Sequence, residues 1–483
     1  MIVISMLGQV TGITSVTVSV PLAMRTRRVT RLQQQNTLTA STRVFPVEIL
    51  CHIFSYVLCG NRWTVRQSQR EFMRLGHICS HWRDVILSAP KLWSQFTIYF
   101  RNSSDEVPDL QLLLLYVNNS GNSPFLLGVF FEHNSSLHLP MKTIQKLHEC
   151  VSKVHTLILD GVCWSPMQGF PQIPMSWLSM VENLNLTSGA FFSGRSINPR
   201  ILLNGFTHLR KLQLEEFGYP RDVQLPWEQI TSSKLDYWPV DHCMSLLVRC
   251  PNLVEFHALN CRRSKKPHMP RLSDYARKLE HMSWGFDTSS VCKFLSHELR
   301  FPFLRTLYWH SPDPSNGLAE EEMSALRSLV SNFPPNISQL HLFDAEAWSD
   351  EFTEFVFVKL KGLKMIRFHG CRTLVQFLSL LNRMNDWEGC CVLPLLAEID
   401  VYPYNEYYAE DRAQMEEEIA SHMAPLFHFR DPHKTRQFSL HIVQYERTVS
   451  EGLHEAYVSL KKDGYAFKIW YYDNRLSKVP LPD

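Results

Sequence analysis

An apolar motif of the form L-x-x-L-x-L returns along most of this chain, and so regular a return constrains the fold more than any single residue can. The copies read Val154-Leu157-Leu159, Val181-Leu184-Leu186, Leu209-Leu212-Leu214, Leu253-Phe256-Ala258 and Leu279-Met282-Trp284. They continue as Leu304-Leu307-Trp309, Ile337-Leu340-Leu342, Leu363-Ile366-Phe368 and Leu396-Ile399-Val401, with a weaker copy at Phe438-Leu440. Most steps fall between the mid-twenties and the low thirties of residues, and the wide gap between Leu212 and Phe256 predicts a decayed copy around Leu235–Trp238. Helical spacing occupies the intervals, at Asp241–Cys250, Val291–Glu298, Glu320–Asn332 and Thr373–Asn385. One strand and one helix cannot cover their own apolar face. The units must therefore stack, with their strands in a parallel sheet. A generic α/β domain with Leu in its strands is the competing reading, and the number of ordered copies weighs against it. Pro124–Phe131 reads as an opening strand that lacks the motif.

Composition narrows the class. The 483 residues carry 45% hydrophobic side chains and a net charge of +2, enough for an extended domain plus a small module, with no global field toward nucleic acid or a membrane. The 12 cysteines include no C-x-x-C pair and no zinc-finger spacing, which reads as reduced thiols in a cytoplasmic or nuclear protein. No cofactor and no metal are expected. Residues 1–42 read as a disordered or leader segment. Gly, Gln, Ser and Thr interrupt its apolar runs, while the acid-free stretch with Arg25, Arg27, Arg28 and Arg31 is partly like a transit peptide.

Near the amino end stands a small helical module. Pro46 suits a first helical position, Glu48 suits the first turn, and Ile49, Leu50, Ile53, Phe54, Val57 and Leu58 follow at three- and four-residue steps until Cys59-Gly60-Asn61. A second apolar set runs through Phe72, Leu75, Ile78, Cys79, Trp82 and Val85-Ile86-Leu87, closed by Ala89-Pro90 before Leu92-Trp93. About fifty residues this apolar on several faces bury too little to stand alone, so surface is left over. On the residues alone, a partner or the rest of the chain serves equally well to cover it.

These three blocks, Pro46 to Phe54, then Ile78-Cys79-Ser80-His81-Trp82-Arg83, then Leu92-Trp93-Ser94, resemble the F-box, with Phe45 where Leu is usual. The resemblance implies a non-catalytic receptor subunit of a Skp–cullin–F-box ubiquitin ligase. Pro46, Ile49, Leu50, Ile53, Phe54, Ile78 and Cys79 would then contact the Skp adaptor, and Trp82, Leu92 and Trp93 would pack the module. Cullin and RING subunits would join through the adaptor. Together with the repeats, the layout resembles the expanded F-box/leucine-rich-repeat families of fungi. The fold class so implied is α/β: an F-box at 43–95, an irregular leucine-rich-repeat solenoid (a horseshoe with a parallel concave sheet) at 96–475, and a tail at 476–483. Irregularity follows because only Cys261 and Cys371 stand where the repeat consensus puts Asn or Cys.

Residues between the Leu positions alternate away from the core, and successive repeats bring them about 4.8 Å apart. This points to Tyr308, His310, His341, Phe343, Arg367, His369, Asp400 and Tyr402 as a patch for a protein target, or equally as a solvated ladder with Arg367 paired to Asp400. The segment 403–408 extends that patch, Arg262-Arg263-Ser264-Lys265-Lys266 reads as a solvated loop, and Glu416-Glu417-Glu418 reads as an exposed helix face. His310, His341 and His369 lack converging carboxylates and do not read as metal ligands. No G-x-S-x-G, P-loop or H-E-x-x-H occurs, so a hidden hydrolase or metalloenzyme is disfavoured. A binding scaffold that engages the Skp adaptor without directing ubiquitination is the alternative to the ligase receptor.

Overall fold

A computed structural model describes residues 45–59, 72–100, 110–131, 153–160, 179–187, 200–202, 206–216, 222–261, 278–285, 301–310, 320–343, 349–369, 374–388, 393–402, 409–430, 433, 438–444, 449–472 and 478–480. The chain divides into two compact units, with the boundary in sequence between Trp93 and Ser94.

The first unit is helical. Helix α1 spans Val47–Cys59, residues 72–75 make a helical turn, α2 spans Ser80–Ser88, and a 3-10 turn spans Pro90–Trp93. Cys79 caps α2, its Sγ accepting the Trp82 amide at 3.5 Å. Aromatic rings meet edge-on inside: Phe54 with Trp82 at 5.1 Å and Phe72 with Trp93 at 5.4 Å. Trp93 Nε1 also donates to the Ile86 carbonyl at 2.7 Å, which satisfies the indole inside the core.

Among the described residues the second unit is built on one 15-stranded sheet. Its strands are β1 (Gln95–Phe100), β2 (Phe125–Phe131), β3 (Val154–Asp160), β4 (Asn183–Thr187), β6 (Lys211–Glu215), β8 (Ser232–Asp236), β9 (Glu255–Leu259) and β10 (His281–Gly285). They continue through β11 (Thr306–His310), β12 (Gln339–Phe343), β13 (Met365–His369), β14 (Glu398–Tyr402), β15 (Ser439–Gln444), β16 (Ala466–Tyr472) and β17 (Lys478–Pro480). Each pairs parallel with the next in that order, except β17, which runs antiparallel to β16. A two-stranded sheet of β5 (Arg200–Leu202) and β7 (Asp222–Gln224) stands apart in pairing. The repeat-built parallel sheet expected from the motif is present.

The motif explains the register. The first in-strand Leu stacks as Leu157, Leu184 and Leu212, then as Phe256, Met282, Leu307, Leu340, Ile366, Ile399 and Leu440. The second forms a parallel spine through Leu186, Leu214, Leu235, Ala258, Trp284, Trp309, Leu342, Phe368, Val401 and Ile442, all buried. The decayed copy is β8, where Ser233 replaces the first Leu and is itself fully buried.

Helices α3 (Leu110–Asn119), α4 (Val240–Arg249), α5 (Glu320–Ser331), α6 (Asp350–Lys359), α7 (Leu374–Glu388), α8 (Ala409–Arg430) and α9 (Glu451–Lys462) fill the intervals. Ser349 and Ser450 cap α6 and α9 by accepting the Phe352 and Leu453 amides. Among the described residues no helix is long and apolar enough to cross a membrane.

Several details differ from expectation. Gln95 begins a strand rather than ending the helical module, since it pairs with Leu126 on β2. Residues 478–480, read as tail, form β17 because they satisfy the open edge of β16. Glu416, read as exposed, is 4% accessible, and its Oε2 accepts the Ser450 amide at 2.6 Å ahead of α9. The expected leader 1–42, the helix Val291–Glu298, Cys371, the loop 262–266 and the segment 403–408 lie outside the described residues.

Candidate functional site

Two surfaces deserve the name, one in each unit. On α1 the chain splits its apolar residues between opposite faces. Leu50 and Phe54 point inward and are fully buried, whereas Ile49, Ile53 and Tyr56 follow one another at helical spacing on the other side. Ile49 is 44% exposed and Tyr56 67%, Ile53 is half-buried, and Pro46 is exposed. Val47, Ile78 and Leu87 add apolar surface in the same unit. Leu50 and Phe54, expected among the adaptor contacts, are instead fully buried in the core, Phe54 against Trp82, and offer no surface in this conformation. Cys79 is half-buried and occupied as a helix cap. Trp82, Leu92 and Trp93 are buried. Val47, Tyr56 and Leu87 are exposed apolar residues that the sequence reading did not mark as outward, because an apolar periodicity on two faces does not say which face turns inward.

The second surface is the sheet face between the Leu spines. From β3 to β10 it is polar, with Asn183, Lys211, Gln213 and a Lys234–Glu215 ion pair at 3.3 Å. From β11 to β14 it becomes aromatic. In-register strands hold His310, Phe343, His369 and Tyr402 side by side, and their rings stack at centroid distances of 4.1, 4.1 and 4.5 Å, with planes 12°, 5° and 9° apart. One row over, Tyr308 stacks on His341 at 4.1 Å. Tyr308, His310, Phe343, Arg367, His369 and Tyr402 are half-buried. His341 and Asp400 are not available to a target, being 2% and 4% accessible.

The row below the rings is ionic. Arg367 Nε donates to Asp400 Oδ2 at 2.8 Å, so the cross-strand pair is made. On the other side His441 Nδ1 lies 2.9 Å from Asp400 Oδ1 and 3.4 Å from Glu398 Oε1. Burial alone would raise the Asp400 pKa, but hydrogen bonds from His441 and Arg367 outweigh it and hold the carboxyl below its ordinary value. Glu398 is pushed up, by burial first and then by the Asp400 charge. Burial drives the histidines of the ladder down, His310 and His369 to about 4 and His341 to about 3, with Arg367 assisting at His341 and His369 and neighbouring histidines at His310 and His341. They are neutral rings at physiological pH. Glu398 and His441 were not singled out from sequence; the signal was there in Glu398-x-Asp400 on one strand face, but His441 falls in the weakest repeat.

These features define a class: a short helical module with an apolar outer face, followed by a repeat-built parallel sheet. The F-box-like family matches residues 44–99, and the chain carries an F-box-like domain there. No curated protein is matched by the sequence. Among solved structures, a chain in the crystal structure of the Rad7 and Elc1 complex in yeast is 12% identical. That likeness covers 81% of this chain and 96% of that chain, with a TM-score of 0.32.

Proposed function

We propose that this chain is a non-catalytic substrate receptor of a Skp–cullin–F-box type ubiquitin ligase. The observation that carries the reading is the outer face of α1, where Ile49, Ile53 and Tyr56 leave apolar surface uncovered inside an F-box-like domain. That face, with Ile78, docks a Skp adaptor, through which cullin and RING subunits join. The aromatic stretch on β11–β14 holds a protein target, rigid rings being suited to the centre of an interface. Rate enhancement then comes from proximity, a target lysine being held near a ubiquitin-charged enzyme. The proposed location is the cytoplasm or nucleus, in keeping with free thiols at Cys51, Cys79, Cys243, Cys250 and Cys261.

Co-purification of the full chain with adaptor and cullin tests this. Ile49→Asp and Ile78→Asp should each lower adaptor recovery at least tenfold, since a charge in an apolar interface costs roughly 2 kcal/mol or more. The fold should stay intact because both side chains lie outside the core. Undiminished recovery with both variants would sink the docking face. Recovery of adaptor without cullin would replace the ligase role with that of an adaptor-bound scaffold.

A further inference from the structure

We propose that Glu398, Asp400 and His441 form a binding site for one divalent transition-metal ion of the zinc or manganese kind. Three donor atoms, one from each residue, lie within 4.8 Å of one another on adjacent strands β14 and β15. Glu398 and Asp400, two apart on β14, face the same side, and His441 stands directly across from Asp400 in the parallel register.

The spacing already suits an ion. Donors about 2.1 Å from a metal lie about 3.0 Å apart along an octahedral edge and about 3.4 Å apart along a tetrahedral one. His441 Nδ1 is 2.9 Å from Asp400 Oδ1 and 3.4 Å from Glu398 Oε1. The third separation, between the Glu398 and Asp400 oxygens, is no more than 4.8 Å, so small side-chain adjustments bring all three donors onto one ion. The surroundings resemble the support that metal ligands require. Arg367 Nε fixes the far oxygen of Asp400 at 2.8 Å and leaves Oδ1 turned toward His441. Access is open: the Glu398 and His441 side chains are 30% and 22% exposed while that of Asp400 is 6% exposed. The remaining coordination positions therefore face solvent, where water or a donor from a bound target completes the shell.

The donor set selects the metal. Two carboxylates and one imidazole suit zinc, manganese or cobalt. No thiolate is offered for copper(I), and there are too few oxygens for calcium. The two carboxylates balance the ion's two positive charges. Arg367 on β13 is already committed to Asp400. Lys468, across from His441 on β16, is exposed and extends into solvent, and the flanking Met365 and Ser439 are neutral. Binding displaces the hydrogen that His441 Nδ1 shares with Asp400, so that neutral imidazole carries its proton on Nε2. The ion would tie together the two repeats at the Tyr402 end of the aromatic ladder.

The test is titration of the full chain with Co2+, read by its visible d–d absorption and by bound equivalents after gel filtration, with Zn2+ as competitor. Wild type should bind one equivalent more than Glu398→Gln or His441→Gln, and Zn2+ should erase the Co2+ bands. Circular dichroism shows that the variants are folded. Equal equivalents in wild type and in both variants would overturn the site. Should a variant fail to fold, the melting temperature of wild type with Co2+ against that with EDTA decides instead: a rise of several degrees supports the site, and no change refutes it.

Discussion

At the scale of single residues, burial separates what the periodicity could not. Ser233 occupies a Leu position of the spine, is fully buried, and its Oγ has no hydrogen-bond partner among the described residues. A buried hydroxyl without a partner costs about 1–3 kcal/mol, so Ser233→Ala should raise stability by about 1 kcal/mol in urea denaturation. An unchanged or lower midpoint would show that the hydroxyl is satisfied after all. The histidines of the ladder make a second prediction. His310 and His341 sit at about 4 and about 3 when folded, chiefly through burial, whereas an unfolded histidine titrates near 6.5. Between those values the unfolded chain binds more protons, so stability is full above pH 6.5 and falls as the pH drops toward 4. The urea midpoint should decline from pH 7 to pH 5, and His310→Phe should flatten that decline. Sequence periodicity marked these positions as outward. It did not reveal that His341 and Asp400 are covered, because their neighbours in register come from strands some thirty residues away.

At the scale of elements, the strand ladder was legible and its decoration only partly so. Alternation within each copy identifies Leu as inward whatever the neighbours, which is why the motif predicted the strands of the large sheet from β3 to β15, even β8, where a single Leu survived, but not the small β5–β7 pair, which carries no copy. Strands β1 and β16 escaped notice because Gln95–Phe100 and Ala466–Tyr472 carry no Leu motif; pairing with a neighbour already in place makes them strands. Helix α1 shows the limit from the other side. Its two apolar faces are chemically alike, and only the meeting of Phe54 with Trp82 decides which becomes core. Phe54→Ala should therefore cost about 3–5 kcal/mol in the helical module, in contrast to the near-neutral Ile49→Asp. The aromatic row is likewise a property of four elements together. Phe343 stacks on His310 and on His369, each at 4.1 Å, and a stacked pair contributes about 0.5–1.5 kcal/mol beyond its buried area. Phe343→Ala should destabilise the sheet unit by about 2–4 kcal/mol once lost burial is included, and under the proposed function it should abolish target capture. Retained capture would move the target site away from β11–β14.

At the scale of the whole molecule, the sheet order matters most. From β9 to β16 each strand pairs only with its immediate predecessor and successor along the chain, so stability is nearly a sum of local units and nearest-neighbour interfaces. Such an array needs a finished end. Here β17 turns antiparallel onto β16, and its Pro480, with no amide hydrogen to offer, lies in the terminal strand. Deleting residues 449–483 removes α9, β16 and β17 together, leaving the edge of β15 and its Leu440 and Ile442 without their partners Phe467 and Ile469. Glu416 would also lose the Ser450 amide that its carboxylate accepts. The expected outcome is an aggregation-prone sheet unit with a lower melting temperature, seen by light scattering on heating. Adaptor recovery per soluble molecule should survive, because the residues proposed to dock the adaptor belong to the other compact unit. A truncated chain that stays soluble, melts unchanged and loses the adaptor would reverse both halves of this account: it would make the last repeats dispensable for the sheet and necessary to the helical module.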